Sequence, residues 1–230
     1  MEKRQIKGKY LIAGVLTLLI FLLGMLLGLV IEGKRVSFVQ TKAEEQKLDF
    51  VSLQLQYQLI SDLSKQGNCQ AVSATFEQFL KELSSTEDRL VAYERDATVN
   101  RQDFRALKQE YIQAQVNYWM LAKKTKNICD RDLVTVLYFY SPSEFCEECD
   151  TQGFVLTYLK NIFKEKLLVF SFDSSFKEEQ LIDFLINTYN ITEYPSLVIE
   201  DTKVSGFHES ESLMEHICPL YSDKPEACLE

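Results

Sequence analysis

The sequence predicts an α/β domain, a mixed sheet flanked by helices, preceded by a transmembrane helix and a three-helix α-helical stalk. Three observations carry this reading. Residues 11–31, LIAGVLTLLIFLLGMLLGLVI, hold no charge and match the roughly 20 residues that cross a hydrocarbon core. Between Lys34 and Asp132 there is no proline and a single glycine, Gly67, whereas all four prolines come after residue 140; long helices therefore come first and turns later. From Leu133 the runs become β-branched and aromatic and alternate with helical patterns, as in a sheet covered by helices.

Residues 1–10 read as a cytoplasmic head. Lys3, Arg4, Lys7 and Lys9 face only Glu2, and the 19 residues after the apolar segment balance in sign. The positive-inside rule then puts the N-terminus in the cytoplasm and everything from about residue 32 outside, in a single-pass cell-membrane protein. The alternative is a cleaved signal peptide, whose apolar core runs about 7 to 15 residues before an A-x-A-like site; neither feature fits. Net charge is −9 overall and +3 over residues 1–10, leaving −12 for the remainder. So acidic an exterior, without a basic aromatic patch, excludes a nucleic-acid partner. Six cysteines outside the cell form an even set where disulfides persist, with 15 complete pairings open to them.

Residues 32–130 read as the stalk. Its first helix spans 36–65. VSLQLQYQLI (51–60) alternates as a strand does, but its leucine and glutamine content and Gly- and Pro-free flanks favour helix. After KQGNC a second helix sets Val72, Phe76, Phe79, Leu80 and Leu83 on one face. A third, over about 101–126, repeats Phe104, Leu107, Tyr111, Tyr118 and Leu121 at three-four spacing, a stripe read as mutual core rather than a ligand site. Three helices running up, down and up place Cys69 and Cys129 at one distal end, which makes them a predicted disulfide. Closing that loop is worth about 4 kcal/mol in the chain-entropy model. At 1.5 Å per residue, about 27 residues lift the C-terminal domain some 40 Å above the bilayer.

Residues 131–217 hold the α/β domain. LVTVLYFYS is a buried-strand run, succeeded by Phe154, Val155, Tyr158, Leu159, Ile162 and Phe163 as a helical face. KLLVFSFD is a second strand, and SFKEEQLIDFLINTY a helix with a serine cap and acids in its first turn. SLVIED and KVSGFH form a hairpin around residues 201–203, and ESESLMEHI is the closing helix.

Chemistry concentrates in EFCEECD, residues 144–150. Two cysteines at this spacing can hold a metal, exchange a disulfide or sit as a staple. Structural zinc wants four ligands, and no second close Cys or His pair accompanies these, so no metal is predicted.

The stretches VLYFYSPSEFCEEC and YNITEYPSLVIED, separated by one strand and one helix, resemble the thioredoxin-like family over residues 133–217. The resemblance implies that Cys146 is an exposed attacking thiol, Cys149 the resolving thiol, and Pro195, after Tyr194, a cis-proline shaping the substrate-docking edge. It implies exchange of disulfides in extracytoplasmic cysteine-containing proteins, with an electron donor or acceptor as second partner and no bound cofactor. Exchange proceeds by thiolate attack through a mixed disulfide, so a second thiol must release the bound partner. A helix N-terminus favours the thiolate. The sequence departs from the family pattern in four ways: no acid lies in residues 133–140, Phe145 stands where tryptophan is usual, the loop to Cys146 is one residue longer, and Tyr194 is bulky. Glu147 and Glu148, flanked by Glu144 and Asp150, oppose the helix end and raise the cost of a thiolate. That predicts a comparatively reducing pair.

Cys218 and Cys228 bracket the tail, residues 218–230, and read as a staple closing a short loop; a second shuttle pair is the alternative. His208 and His216 read as surface or half-buried residues far from the thiols. Asn190 opens an N-I-T sequon. Against the enzyme reading stands an interaction or scaffold protein with a retired thioredoxin-like head.

Overall fold

The structure, a computed structural model, describes residues 15–25, 55, 58, 62, 69–95 and 101–229. The chain forms two compact units, residues 1–58 and 59–230. In the first, residues 15–25 are helical with their side chains exposed, and Leu55 and Gln58 are also helical. Among the described residues no helix is long and apolar enough to cross a membrane. The remainder of the 11–31 segment, the 1–10 head and most of the 36–65 helix lie outside the described residues.

In the second unit α1 (Cys69–Arg95) and α2 (Arg101–Cys129) form a helical hairpin, joined end to end by a Cys69–Cys129 disulfide. Strands β1 (Val134–Tyr140), β2 (Leu167–Asp173), β3 (Ser196–Ile199) and β4 (Thr202–Ser205) come next, with helices α3 (Cys149–Phe163), α4 (Gln180–Thr188) and α5 (Ser210–Ile217). The sheet order is β2-β1-β3-β4, with β1 parallel to β2 and the remaining pairs antiparallel. Central β1 is buried on both faces, which explains its run of β-branched and aromatic residues. The β3–β4 turn is Glu200–Asp201; Glu200 takes φ +54°.

Side chains alternate between two cores. Leu137, Phe139, Phe170, Phe172 and Val198 face one side, with α2, α4 and the start of α1. Val136, Tyr138, Leu167, Leu197 and Ile199 face the other, with α3, α5 and Tyr221 of the tail. The expected boundary at residue 131 therefore does not divide the packing. The stripe on α2 buries Ile112, Val116, Tyr118 and Leu121 in the same core as the sheet, so residues 101–129 are a layer of the α/β unit rather than a spacer beneath it.

The outer edge of β2 shows why. A sheet edge presents unpaired N–H and C=O groups that need partners. Buried Gln115 of α2 supplies both: Ser171 N–H donates to its Oε1 at 2.8 Å, and its Nε2 donates to Ser171 C=O at 3.1 Å. Ion pairs fix α2 farther along, Lys108 with Asp173 at 2.6 Å and Lys126 with Glu200 at 3.2 Å.

Two local expectations change. Helix α4 starts at Gln180 and is capped by Glu179, whose carboxylate accepts from Leu181 N–H; the serine expected there, Ser175, instead donates to Asp173 Oδ1. On α3 the buried stripe is Gln152, Leu156, Leu159 and Phe163, while Phe154 and Tyr158 are exposed. The tail packs on the second core: Cys218 is bonded to Cys228, and the Tyr221 hydroxyl donates to Lys166 C=O at 2.9 Å.

Replacing Gln115 with leucine leaves the Ser171 N–H and C=O without their partner, a loss of about 2 kcal/mol, read as a lower denaturation midpoint of the full chain in detergent. Asp173 gives a pH signature. Burial pushes its carboxyl up, but hydrogen bonds from Lys108 and Ser175 and the Lys108 charge outweigh this and hold it below the usual carboxylate range. A depressed folded value means that stability is present above the unfolded value of about 4 and is lost as pH falls through the folded one. Asp173→Asn flattens that acid limb in a pH series of unfolding curves.

Candidate functional site

The site lies at the end of the sheet where β1 finishes. Phe139 pairs with Ser196, so the turn leaving β1 and the residues entering β3 meet at one end. Tyr194–Pro195, immediately before β3, is a cis peptide. Pro195 is buried, and its carbonyl accepts from Gly206 N–H at 2.9 Å. Tyr194 is half-buried against the core on the α2 side.

The opposing turn, residues 141–148, is organised by Pro142, whose carbonyl accepts from Phe145 N–H at 2.8 Å and Cys146 N–H at 3.1 Å. Helix α3 begins at Cys149, not at Cys146, because Glu147 and Glu148 form a turn. Cys146 and Cys149 are joined in a disulfide. Cys146 is 6 % exposed and Cys149 1 %. The thiol expected to be exposed is thus nearly covered, while the acids around it, Glu144, Glu147, Glu148 and Asp150, take the solvent positions. Ser143 Oγ donates to Asp150 Oδ2 at 2.9 Å, fastening the turn to the first turn of α3.

Three residues that hold the site were not singled out from sequence. Tyr138 of β1 is buried, and its hydroxyl donates to the Cys149 carbonyl; burial, with Tyr140 and Asp150 nearby, pushes this phenol well above its ordinary value, so it stays a donor. Gln152, fully buried, accepts from His208 N–H at 2.8 Å and donates to His208 C=O at 3.3 Å. Ser196, buried at the start of β3, donates to Glu193 C=O at 2.7 Å. The only sequence signal for the first two was a polar atom inside an apolar run or helix face.

His208, expected far from the thiols, has its backbone bonded to the side chain of Gln152, three positions after Cys149. Its imidazole is engaged elsewhere, with Ser212 Oγ at 3.1 Å and Ser205 C=O at 3.2 Å, while His216 is exposed. Asn190 is exposed at φ +51°. Among the described residues no cluster of three or more His, Cys, Asp or Glu is placed to hold a metal.

Strand order, the disulfide at the head of α3 and the cis-proline at the same sheet end make a thioredoxin-like fold. Solved structures similar to this chain include thioredoxin-2 of the malaria parasite, with 20 % identity, 38 % of this chain and 82 % of that chain covered, and a TM-score of 0.31. The germline-specific thioredoxin Deadhead of Drosophila melanogaster matches with 19 % identity, 46 % and 93 % coverage and a TM-score of 0.33. The first thioredoxin domain of mouse protein disulfide-isomerase A4 matches with 16 % identity, 45 % and 77 % coverage and a TM-score of 0.29. No protein-family model and no curated protein matches the sequence.

Tyr138→Phe removes one hydrogen bond from the first turn of α3 and costs about 1 kcal/mol; unfolding curves of the two proteins measure it, and faster amide exchange over residues 149–153 locates it.

Proposed function

We propose that the chain exchanges disulfides with extracytoplasmic cysteine-containing proteins while anchored in a membrane by residues 11–31. The observation that carries this reading is the Cys146–Cys149 disulfide at the N-terminus of α3, at the same sheet end as the cis Tyr194–Pro195 peptide. In the dithiol form, Cys146 as thiolate attacks a sulfur of the client's disulfide. A bond forms between Cys146 and that sulfur, the client S–S bond breaks, and the client's second sulfur leaves as a thiolate. Cys149, deprotonated in turn, attacks the Cys146 sulfur, restores the internal disulfide and releases the client as a dithiol. The protein loses two electrons and the client gains them; an external dithiol or redox partner returns them. Run backward, the same steps oxidise a client.

The helix end favours a thiolate at the thiol pair, and the four surrounding carboxylates oppose it. In this reading Glu147 and Glu148 tune the pair toward the reducing side, Pro195 and Tyr194 shape the docking edge, and Cys69–Cys129 and Cys218–Cys228 are structural disulfides. Anchoring is supported by the charge-free apolar run and the basic residues before it. The slight exposure of Cys146 favours a second reading, an interaction or scaffold protein whose CEEC disulfide is a staple.

One experiment separates the two. Cys149→Ser in the membrane-bound full chain removes the resolving thiol, so exchange accumulates as mixed disulfides through Cys146 that dithiothreitol dissolves and that Cys146→Ser abolishes. No trapped species, with the oxidised wild-type pair resisting thiol reagents in the folded protein, rejects exchange in favour of the staple. Glu147→Gln with Glu148→Gln is expected to shift the reduction potential upward, measured against a glutathione series.

A further inference from the structure

We propose that the face around the disulfide selects cationic clients, extended cysteine-bearing protein segments with lysine or arginine beside the cysteine. This names the substrate class of the exchange reaction and rests on that reading.

The first observation is aromatic. Along α3, Asp150, Phe154 and Tyr158 succeed one another at four-residue steps on the side opposite the buried stripe. Phe154 is 76 % and Tyr158 56 % exposed, and Phe145, immediately before the first cysteine, is 77 % exposed. The Ser143–Asp150 bond joins the thiol turn to the lower end of this stripe. Large aromatic rings in water on the solvent side of a helix, which the domain's own core does not use, mark a contact surface.

The second observation is charge. Three of the segments that meet at the thiol end are the turn with the head of α3 (141–151), the stretch into the cis-proline (190–195), and the segment that Gln152 holds against α3 (206–212). They carry Glu144, Glu147, Glu148, Asp150, Glu193 and Glu209, all exposed, and no lysine or arginine. Their other titratable groups are Glu211, His208, the phenol of Tyr194 and the bonded cysteines. One cation reaches in from β4, where Lys203 Nζ donates to Asn190 C=O at 2.9 Å, the residue of the second segment farthest in sequence from the cis-proline. At the same sheet end Lys108 pairs with Asp173, the β2 residue in register with Tyr140, and in the segment leaving β2 Lys177 pairs with Asp183 and Glu178 holds Arg105; Lys123 and Lys126 pair with Asp201 and Glu200 at the opposite end. The field at the site is therefore negative and steers cations.

Both observations point to one occupant. Carboxylates pair with ammonium and guanidinium groups, and aromatic faces attract the same cations. A second copy of this chain presents the same acids and is repelled.

The test uses the full chain in neutral detergent, reduced with dithiothreitol and freed of it. Two synthetic peptides each contain one internal disulfide and differ only in flanking lysines or glutamates. The lysine peptide is expected to be reduced about tenfold faster or more at low ionic strength, with the ratio shrinking toward one at about 0.5 M salt, where screening shortens the reach of charge. Glu144→Gln with Glu193→Gln lowers the ratio, and Phe154→Ser weakens lysine-peptide binding. Serine-for-cysteine versions of both peptides, titrated by fluorescence anisotropy against the oxidised chain, read docking without exchange. Equal rates and affinities, or a glutamate preference, overturn the client class and leave exchange standing. A lysine preference in binding with neither peptide reduced supports the docking face and overturns exchange. Neither binding nor reduction overturns both.

Discussion

The second unit depends on one side-chain amide. With β2 at the end of a four-stranded sheet, its outward backbone groups need a partner, and Gln115 serves the N–H and C=O of Ser171 as a neighbouring strand would. A helix can close a sheet edge only if it lies against that edge in one register. The ion pairs from Lys108 to the end of β2 and from Lys126 to the β3–β4 turn act on the same helix and agree with that register. The apolar side of α2 is then committed to the sheet, and the hairpin that reads as a spacer becomes part of the core.

A second buried glutamine repeats the device at the thiol end. Gln152 exchanges two hydrogen bonds with the backbone of His208, while Tyr138 reaches from β1 to the Cys149 carbonyl. The first turn of α3 is thus held from the sheet below and from the segment ahead of α5. Cys149 sits in the fixed part. Cys146 sits in a turn that depends on the Pro142 carbonyl and on Ser143 binding Asp150. That asymmetry fits the proposed exchange, in which one sulfur remains in place while the other bonds to a client, and the acids lie on the side of the turn that meets solvent.

Legibility tracked the physical range of each signal. The strands were readable because β1 and β2 are buried, so their residues obey a local rule of hydrophobic and β-branched runs. The two long helices were readable from the scarcity of Gly and Pro ahead of residue 140, whereas the β3–β4 turn, expected around residues 201–203, falls at Glu200–Asp201. Helix α3 misled: its aromatic residues fit a helical face, and only the packing places Gln152 inward and Phe154 outward. The start of α4 misled as well, since Ser175 found a nearer partner in Asp173 than the helix N-terminus. A glutamine that mimics a strand has no local signature, because what makes it necessary is an edge 56 residues away in sequence.

From the sequence alone come the apolar N-terminal segment, the acidic remainder, the order of strands and helices, the CEEC pair and the isolated proline ahead of β3, all properties of neighbouring residues or of composition. The tertiary structure alone decides that α2 belongs to the sheet, that Cys146 is nearly covered, that Tyr138 and Gln152 hold the head of α3, and that three acidic segments meet around the disulfide. These depend on contacts between residues distant along the chain, where burial and hydrogen-bond satisfaction, rather than local propensity, choose the partner.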